Sequence, residues 1–218
     1  MDWFPLRLSL QVATLATLIV AVVGVAGAYA LARGRFPGRG VLEAVASLPI
    51  VLPPTVLGYY LLVAMGRRSP IGRAWEAVTG GPLVFTWQAA VVAASVASLP
   101  FCLRAARAAF DSVDRRYEEV ARVAGLPNWK VALTVTLPLA RRGVIAGVTL
   151  AFARALGDFG TTVMVAGNVP GRTQTMPIAV YDAVQAFDTT TATVLAAVLS
   201  AVAITVLVVV RRLERDPA

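Results

Sequence analysis

The chain has 218 residues, is 58% hydrophobic and only 15% charged, and carries a formal net charge of +8. That balance excludes an ordinary soluble domain, in which about 25% of residues are charged. With no His and a single Cys, one chain can build neither a His/Cys metal site nor a disulfide.

Apolar runs near 8–31, 41–65, 83–103, 143–166 and 190–210 are each long enough for a helix to cross a hydrocarbon core about 30 Å thick. None alternates with the period of two that barrel strands require. Backbone hydrogen bonding in lipid therefore predicts an all-α integral membrane protein with about five transmembrane helices in a single domain, 1–218. The first run ends in Ala28-Tyr29-Ala30, which has the form of a leader cleavage site. The run is too long for a leader, only Arg7 flanks it on the N-terminal side, and Arg33, Arg35 and Arg39 follow as a stop-transfer cluster, so it is expected to remain as a span.

The second run is interrupted by SLPIVLPPTVLGYY. Each proline removes a backbone donor and obstructs the preceding turn, so Pro49, Pro53 and Pro54 should kink or unwind the helix. Unwound backbone at membrane depth is tolerated only against protein or a water-filled path. A pore-lining break at Pro53, Pro54 and Thr55 is one reading, and a packing kink is the other. Glu43 is expected at the membrane interface, and Ser95, Ser98 and Cys102 of the third run are expected to pack between helices.

The segment 104–142 is polar and basic. Val113, Tyr117, Val120, Ala121 and Ala124 recur at helical spacing, while Asp114, Arg115, Glu118, Glu119 and Arg122 fill the other face, with Glu118 placed to pair with Arg122. Gly125 suits the position after a helix C-terminus, Pro127 prevents continuation, and Asn128 can cap a second helix. A short amphipathic helix, a sharp turn and a second helix result, suited either to a lipid surface or to a partner. The fourth run contains FARALGDFGTT, where Arg154 and Asp158 stand four apart and should neutralise one another facing the protein interior. Thr161 and Thr162 add hydroxyls there, as candidate cargo contacts or as satisfied helix side chains.

Arg33, Arg35 and Arg39, then Arg104, Arg107, Arg115, Arg116, Arg122, Lys130, Arg141 and Arg142, then Arg211, Arg212 and Arg215 fall on one side of the five runs, and they are most of the 20 Lys and Arg. The positive-inside rule then puts the N-terminus out and the C-terminus in. This spread of basic residues over loop ends, without stacking aromatics, argues against a nucleic-acid partner. No G-x-x-x-x-G-K-[ST] occurs, and no nucleophile has a His to activate it, so the chain is expected to have no catalytic residues and to hydrolyse no nucleotide.

Glu119-Val120-Ala121, Gly125 and Val135-Thr136-Leu137-Pro138 resemble the EAA motif of ABC importer permeases, E-A-A-x3-G-x9-I-x-L-P, with valines at the consensus Ala and Ile. The resemblance implies a type I importer permease fold, with the inner loop as a coupling helix in a groove of a separate ATP-binding subunit. Glu118, Glu119, Ala121, Gly125, Leu126, Pro127, Asn128 and Trp129 are then the coupling residues, and Pro53, Pro54, Thr55, Arg154, Asp158, Thr161 and Thr162 belong to the translocation path or gate. LPIVLPPTVLGYYLL and RALGDFGTTVMVAGNVPGRTQTMPIAVYDAVQ are similar to permease subunits of molybdate importers, over nearly the whole chain. That family usually reads G-E-F-G where this chain has Gly157-Asp158-Phe159-Gly160.

The resemblance implies an inner-membrane, multi-pass permease moving molybdate or tungstate. Its partners would be a second copy of itself, two ATP-binding cassette subunits that carry ATP and Mg, and a periplasmic or extracellular oxyanion-binding protein. No cofactor or metal is expected on this chain. Arg67, Arg68, Arg73 and Arg172 run against the charge trend and are expected to meet the binding protein or draw in the anion. A sulfate or other oxyanion permease stays open, as does an ATP-independent channel or carrier built on the broken second run.

Overall fold

A computed structural model describes residues 2–34 and 36–215, so that Arg35 of the stop-transfer cluster lies outside it. The described chain is helical. Helix α1 (Phe4–Arg33) admits Pro5 in its first turn, where a missing N–H costs nothing, and its 30 residues reach about 45 Å. It packs along α5 (Trp87–Asp111), which in turn packs along α8 (Leu137–Leu156).

These contacts are close because the facing residues are small. Ala13, Ala16, Gly24 and Ala28 of α1 meet an alanine-rich face of α5, and a methyl on Gly147 of α8 would lie 3.1 Å from Ala105. Lipid tails are as apolar as leucine, so van der Waals fit between such surfaces holds helices together in a membrane. Cys102 is fully buried in this seam, beside Gly24, and Ser95 and Ser98 are buried there with their hydroxyls on helix carbonyls. Pro100 is carried inside α5 without ending it.

The second run forms two helices, α2 (Arg39–Val51) and α3 (Pro54–Met65), bent by 118° at Leu52 and Pro53. Pro53 and Pro54 account for the break. Pro49 does not break its helix, because its ring is accommodated within α2. Among the described residues four helices are long and apolar enough to cross a membrane, or five if the bent pair forms one span.

Two boundaries differ from the sequence reading. Helix α5 runs on to Asp111, so Arg104 and Arg107 extend a span instead of lying in a loop, and Arg107 pairs there with Glu43. The fourth span does not cover 143–166. A short helix α7 (Asn128–Val131) and a π turn (Ala132–Thr136) lead without a gap into α8, which stops at Leu156. The chain restarts as the separate short helix α9 (Gly160–Ala166).

The remaining helices are α4 (Pro70–Thr79), capped by Ser69, then α6 (Arg115–Val123), α10 (Met176–Gln185) and α11 (Thr189–Arg215). Helix α11 is apolar and hardly buried within the chain, as a lipid-facing span requires. Phe187, in the turn before it, is 92% exposed and holds a left-handed backbone.

Candidate functional site

The inner loop folds as a helix, a turn and a helix. Asp114 caps α6 by accepting from the Arg116 backbone N–H at 2.9 Å. At the other end Gly125 has φ +88°, a conformation that glycine takes without steric cost. The Gly125 N–H donates to the Arg122 carbonyl and the Leu126 N–H to that of Ala121, at 2.9 and 3.1 Å. This pair of bonds is a Schellman motif, and it satisfies carbonyls that the helix end would leave open. Pro127 is extended, and α7 follows at once. Asn128 does not cap α7; its side-chain oxygen instead accepts from Arg122 Nε at 3.1 Å.

Helix α6 is exposed at its charged residues Arg115, Arg116, Glu119 and Arg122 and at apolar ones as well. Tyr117, Val120 and Val123 are exposed, Val123 to 90%, and so are Trp129 and Leu133 beyond the turn. Glu118 is 1% exposed. Of the expected coupling residues it is therefore the one turned away from solvent, whereas Glu119, the first residue of the motif, is exposed. Glu119, Gly125, Pro127, Asn128 and Trp129 are exposed, while Ala121 and Leu126 are half-buried against the turn.

The buried Glu118 carboxylate is fully engaged. Oε1 accepts from Arg33 Nε at 2.7 Å and from Thr136 Oγ1 at 2.9 Å, and Oε2 accepts from Arg122 Nη2 at 3.1 Å. Burial opposes its ionisation, but the Arg33, Thr136 and Arg122 donors outweigh burial and hold the carboxyl below its usual range. Arg33 also donates through Nη2 to the Val113 carbonyl at 2.9 Å. Sequence spacing gives the Arg122 pair alone. The Arg33 contact spans 85 positions, and Arg33 carries only the look of a topology signal.

The second candidate region lies where two helix breaks meet. Helix α3 packs on α9, with Gly160 against Pro54 and Gly58 against Met164. Asp158 sits in the gap between α8 and α9 and is 3% exposed. Its Oδ2 accepts from the Thr162 N–H at 3.0 Å and from Thr162 Oγ1 at 2.8 Å, while Oδ1 lies 2.9 Å from Arg154 Nη1. The expected Arg154–Asp158 pair is present, but it closes a helix break instead of lying along one helix face. Thr162 bonds this carboxylate and not a helix carbonyl, and the buried Thr161 hydroxyl has no partner among the described residues. Pro53, Pro54 and Thr55 stand on an exposed face of the single chain.

Arg67, one of the four countertrend arginines, is paired with Glu76 at 3.2 Å, and Arg172 lines a cavity of about 190 Å³ with Arg7 and Trp87. A larger cavity of about 430 Å³ is lined by Asp2, Asp182 and Asp188, whose charge disfavours an anion.

Residues 21–216 match the family of binding-protein-dependent transport system inner membrane components. The chain is 46% identical over 184 residues to the molybdenum transport system permease protein ModB of Escherichia coli, covering 84% of this chain and 80% of that one. It is 43% identical to the putative molybdenum transport system permease protein YvgM of Bacillus subtilis, over 86% and 83% of the two chains. The sulfate transport system permease protein CysW of Synechococcus elongatus is 32% identical, over 96% and 73%. A chain of the inward-facing MetNI methionine ABC transporter superposes with a TM-score of 0.73 at 17% identity, covering 99% of this chain and 98% of that one.

Proposed function

Because the chain belongs to the family of binding-protein-dependent transport system inner membrane components, we propose that it is the permease subunit of an ATP-driven importer of molybdate or tungstate. The cargo rests on the relatives that are named molybdenum permeases. The mechanism rests on one observation, the outward-facing apolar residues of the α6–Gly125–α7 turn. Exposed valine, tyrosine and tryptophan on a polar loop are costly in water and favourable in a partner's groove.

That partner is the ATP-binding subunit, which holds ATP and Mg, while this chain binds no cofactor of its own. Two permease copies sit on two such subunits in the inner membrane, N-terminus out, and a binding protein delivers the oxyanion from outside. Closure of the ATP-binding subunits on nucleotide moves α6 and α7 as a rigid wedge, and the spans follow. Pro53, Pro54 and Thr55 on the exposed face line the path between the two copies, and the buried Thr161 and Thr162 support it from behind. Asp158 does not contact cargo, because its buried carboxylate accepts from Thr162 through Oδ2 and faces the Arg154 guanidinium through Oδ1, which accepts no hydrogen bond among the described residues.

Sulfate is the second reading, favoured by the 32% identity to a sulfate permease. The test is ATP hydrolysis and uptake by the reconstituted complex with its binding protein, comparing molybdate, tungstate and sulfate. Stimulation by molybdate or tungstate is the expected result, and stimulation by sulfate alone would replace the cargo while leaving the coupling mechanism. Gly125→Asp should break the turn and abolish coupling; normal coupling in that variant would overturn the role of the loop.

A further inference from the structure

A docking surface needs outward-facing groups, and Glu118 is not one. Its carboxylate joins four parts of the chain: Arg33 is the last residue of α1, Thr136 closes the π turn at the head of α8, Arg122 lies on α6, and through Arg33 the link reaches Val113 between α5 and α6. The side chains of Arg33 and Glu118 are 9% and 2% exposed, so water screens the pair weakly. Apart from the exposed Arg122–Asn128 bond to α7 and the packing of α6 on the π turn, the connections from α6 to the spans follow loop backbone through Ser112 and Asp114 on one side or Gly125 and Pro127 on the other. Such loops bend. A short charge-assisted bond does not stretch without breaking.

We propose that Glu118 is the positioning residue that latches α6 to α1 and α8, so that displacement of the docked helix is passed to two spans through side chains as well as through the loops. The proposal rests on the coupling role of α6 given above. In this arrangement Arg33 anchors the end of a span to the moving helix, and Thr136 ties the same oxygen to a π turn. An irregular turn of this kind is a place where a helix can change register. The latch carries no part of the docking contact, which belongs to Val120, Val123 and Trp129 on the opposite face of the loop.

A buried ion pair can also be mere structure, and an apolar pair of similar volume is then as stable or more so. The two roles separate in the number of anions imported per ATP hydrolysed. In the reconstituted complex with its binding protein and molybdate, Glu118→Gln and the double variant Arg33→Met, Glu118→Met should assemble. Their uptake per ATP should fall by roughly fivefold or more, the span of ordinary coupling energies. Equal losses of uptake and hydrolysis, with the ratio unchanged, would overturn the latch. Failure of both variants to assemble would overturn it too, because Glu118 would then be a folding residue. Val123→Asp serves as the separate control: normal assembly of that variant refutes docking through α6, whatever Glu118 does.

Discussion

Gly58 stands where the two helix breaks meet, and replacing it by alanine sets packing against propensity. Its φ is not left-handed, so alanine fits the backbone and by helix propensity alone should stabilise α3 by about 1 kcal/mol. The added methyl would lie 2.6 Å from Met164 Cβ, 3.0 Å from Met164 Cγ and 3.2 Å from the Thr161 carbonyl oxygen. Carbon atoms rest about 3.5 to 4.0 Å apart, so α3 and α9 must part by about 1 Å. Met164 cannot relieve the clash by turning, because Cβ is fixed to the backbone. Overpacking of this size costs about 1–3 kcal/mol, which outweighs the gain. Met164→Gly removes both offending carbons, at about 2–5 kcal/mol on its own account. The double variant should then be more stable than the sum of the two losses by about 1–2 kcal/mol. Reversible unfolding in mixed micelles, followed by tryptophan fluorescence, measures all four corners of the cycle. A Gly58→Ala chain as stable as the parent, with additive losses in the double variant, would refute the close approach of the two breaks.

Asp158→Ala removes both the partner of Arg154 and the acceptor of two bonds from Thr162, and should cost about 2–4 kcal/mol in the same assay. Asp158→Asn keeps an acceptor for Thr162 and should lose less. Val123→Asp, at a position 90% exposed, should leave stability within about 0.5 kcal/mol and weaken capture of the ATP-binding subunit about tenfold or more, as a pull-down titration would show. Glu118 has a lowered folded-state pKa, so its contribution is complete above the unfolded carboxyl value, near about 4.3, and is lost as pH falls through the folded value. Amide-exchange protection of 113–136 should therefore hold from neutral pH to about 5 and fall below about 4, and Glu118→Gln should lack that acid limb.

The spans and the turn at Gly125 were legible because their causes are local: apolar run length, a glycine at a left-handed position and a proline after it. The bend at Pro53 and Pro54 was legible for the same reason. The split of the fourth run was not, since hydropathy stays high across Gly157 and only the tertiary placement of Asp158 shows a carboxylate starting a new helix. The Glu118–Arg122 pair is legible from its spacing, but the burial of Glu118 is not, since Arg115, Glu119 and Arg122 of the same polar face are exposed. Helical periodicity tells which residues share a face, but not which one of them meets distant partners, and here those partners lie 85 and 18 positions away in Arg33 and Thr136.

Cys102 is the one thiol in the chain, and it is sealed between α1 and α5. The folded protein is thus silent toward water-soluble maleimides without any prior substitution. A cysteine placed at Phe187 or at Val123, which are 92% and 90% exposed, becomes the sole reactive group. In sealed right-side-out vesicles the first should label from the bath and the second only after permeabilisation. The threading of the chain through the bilayer can therefore be read from two single substitutions.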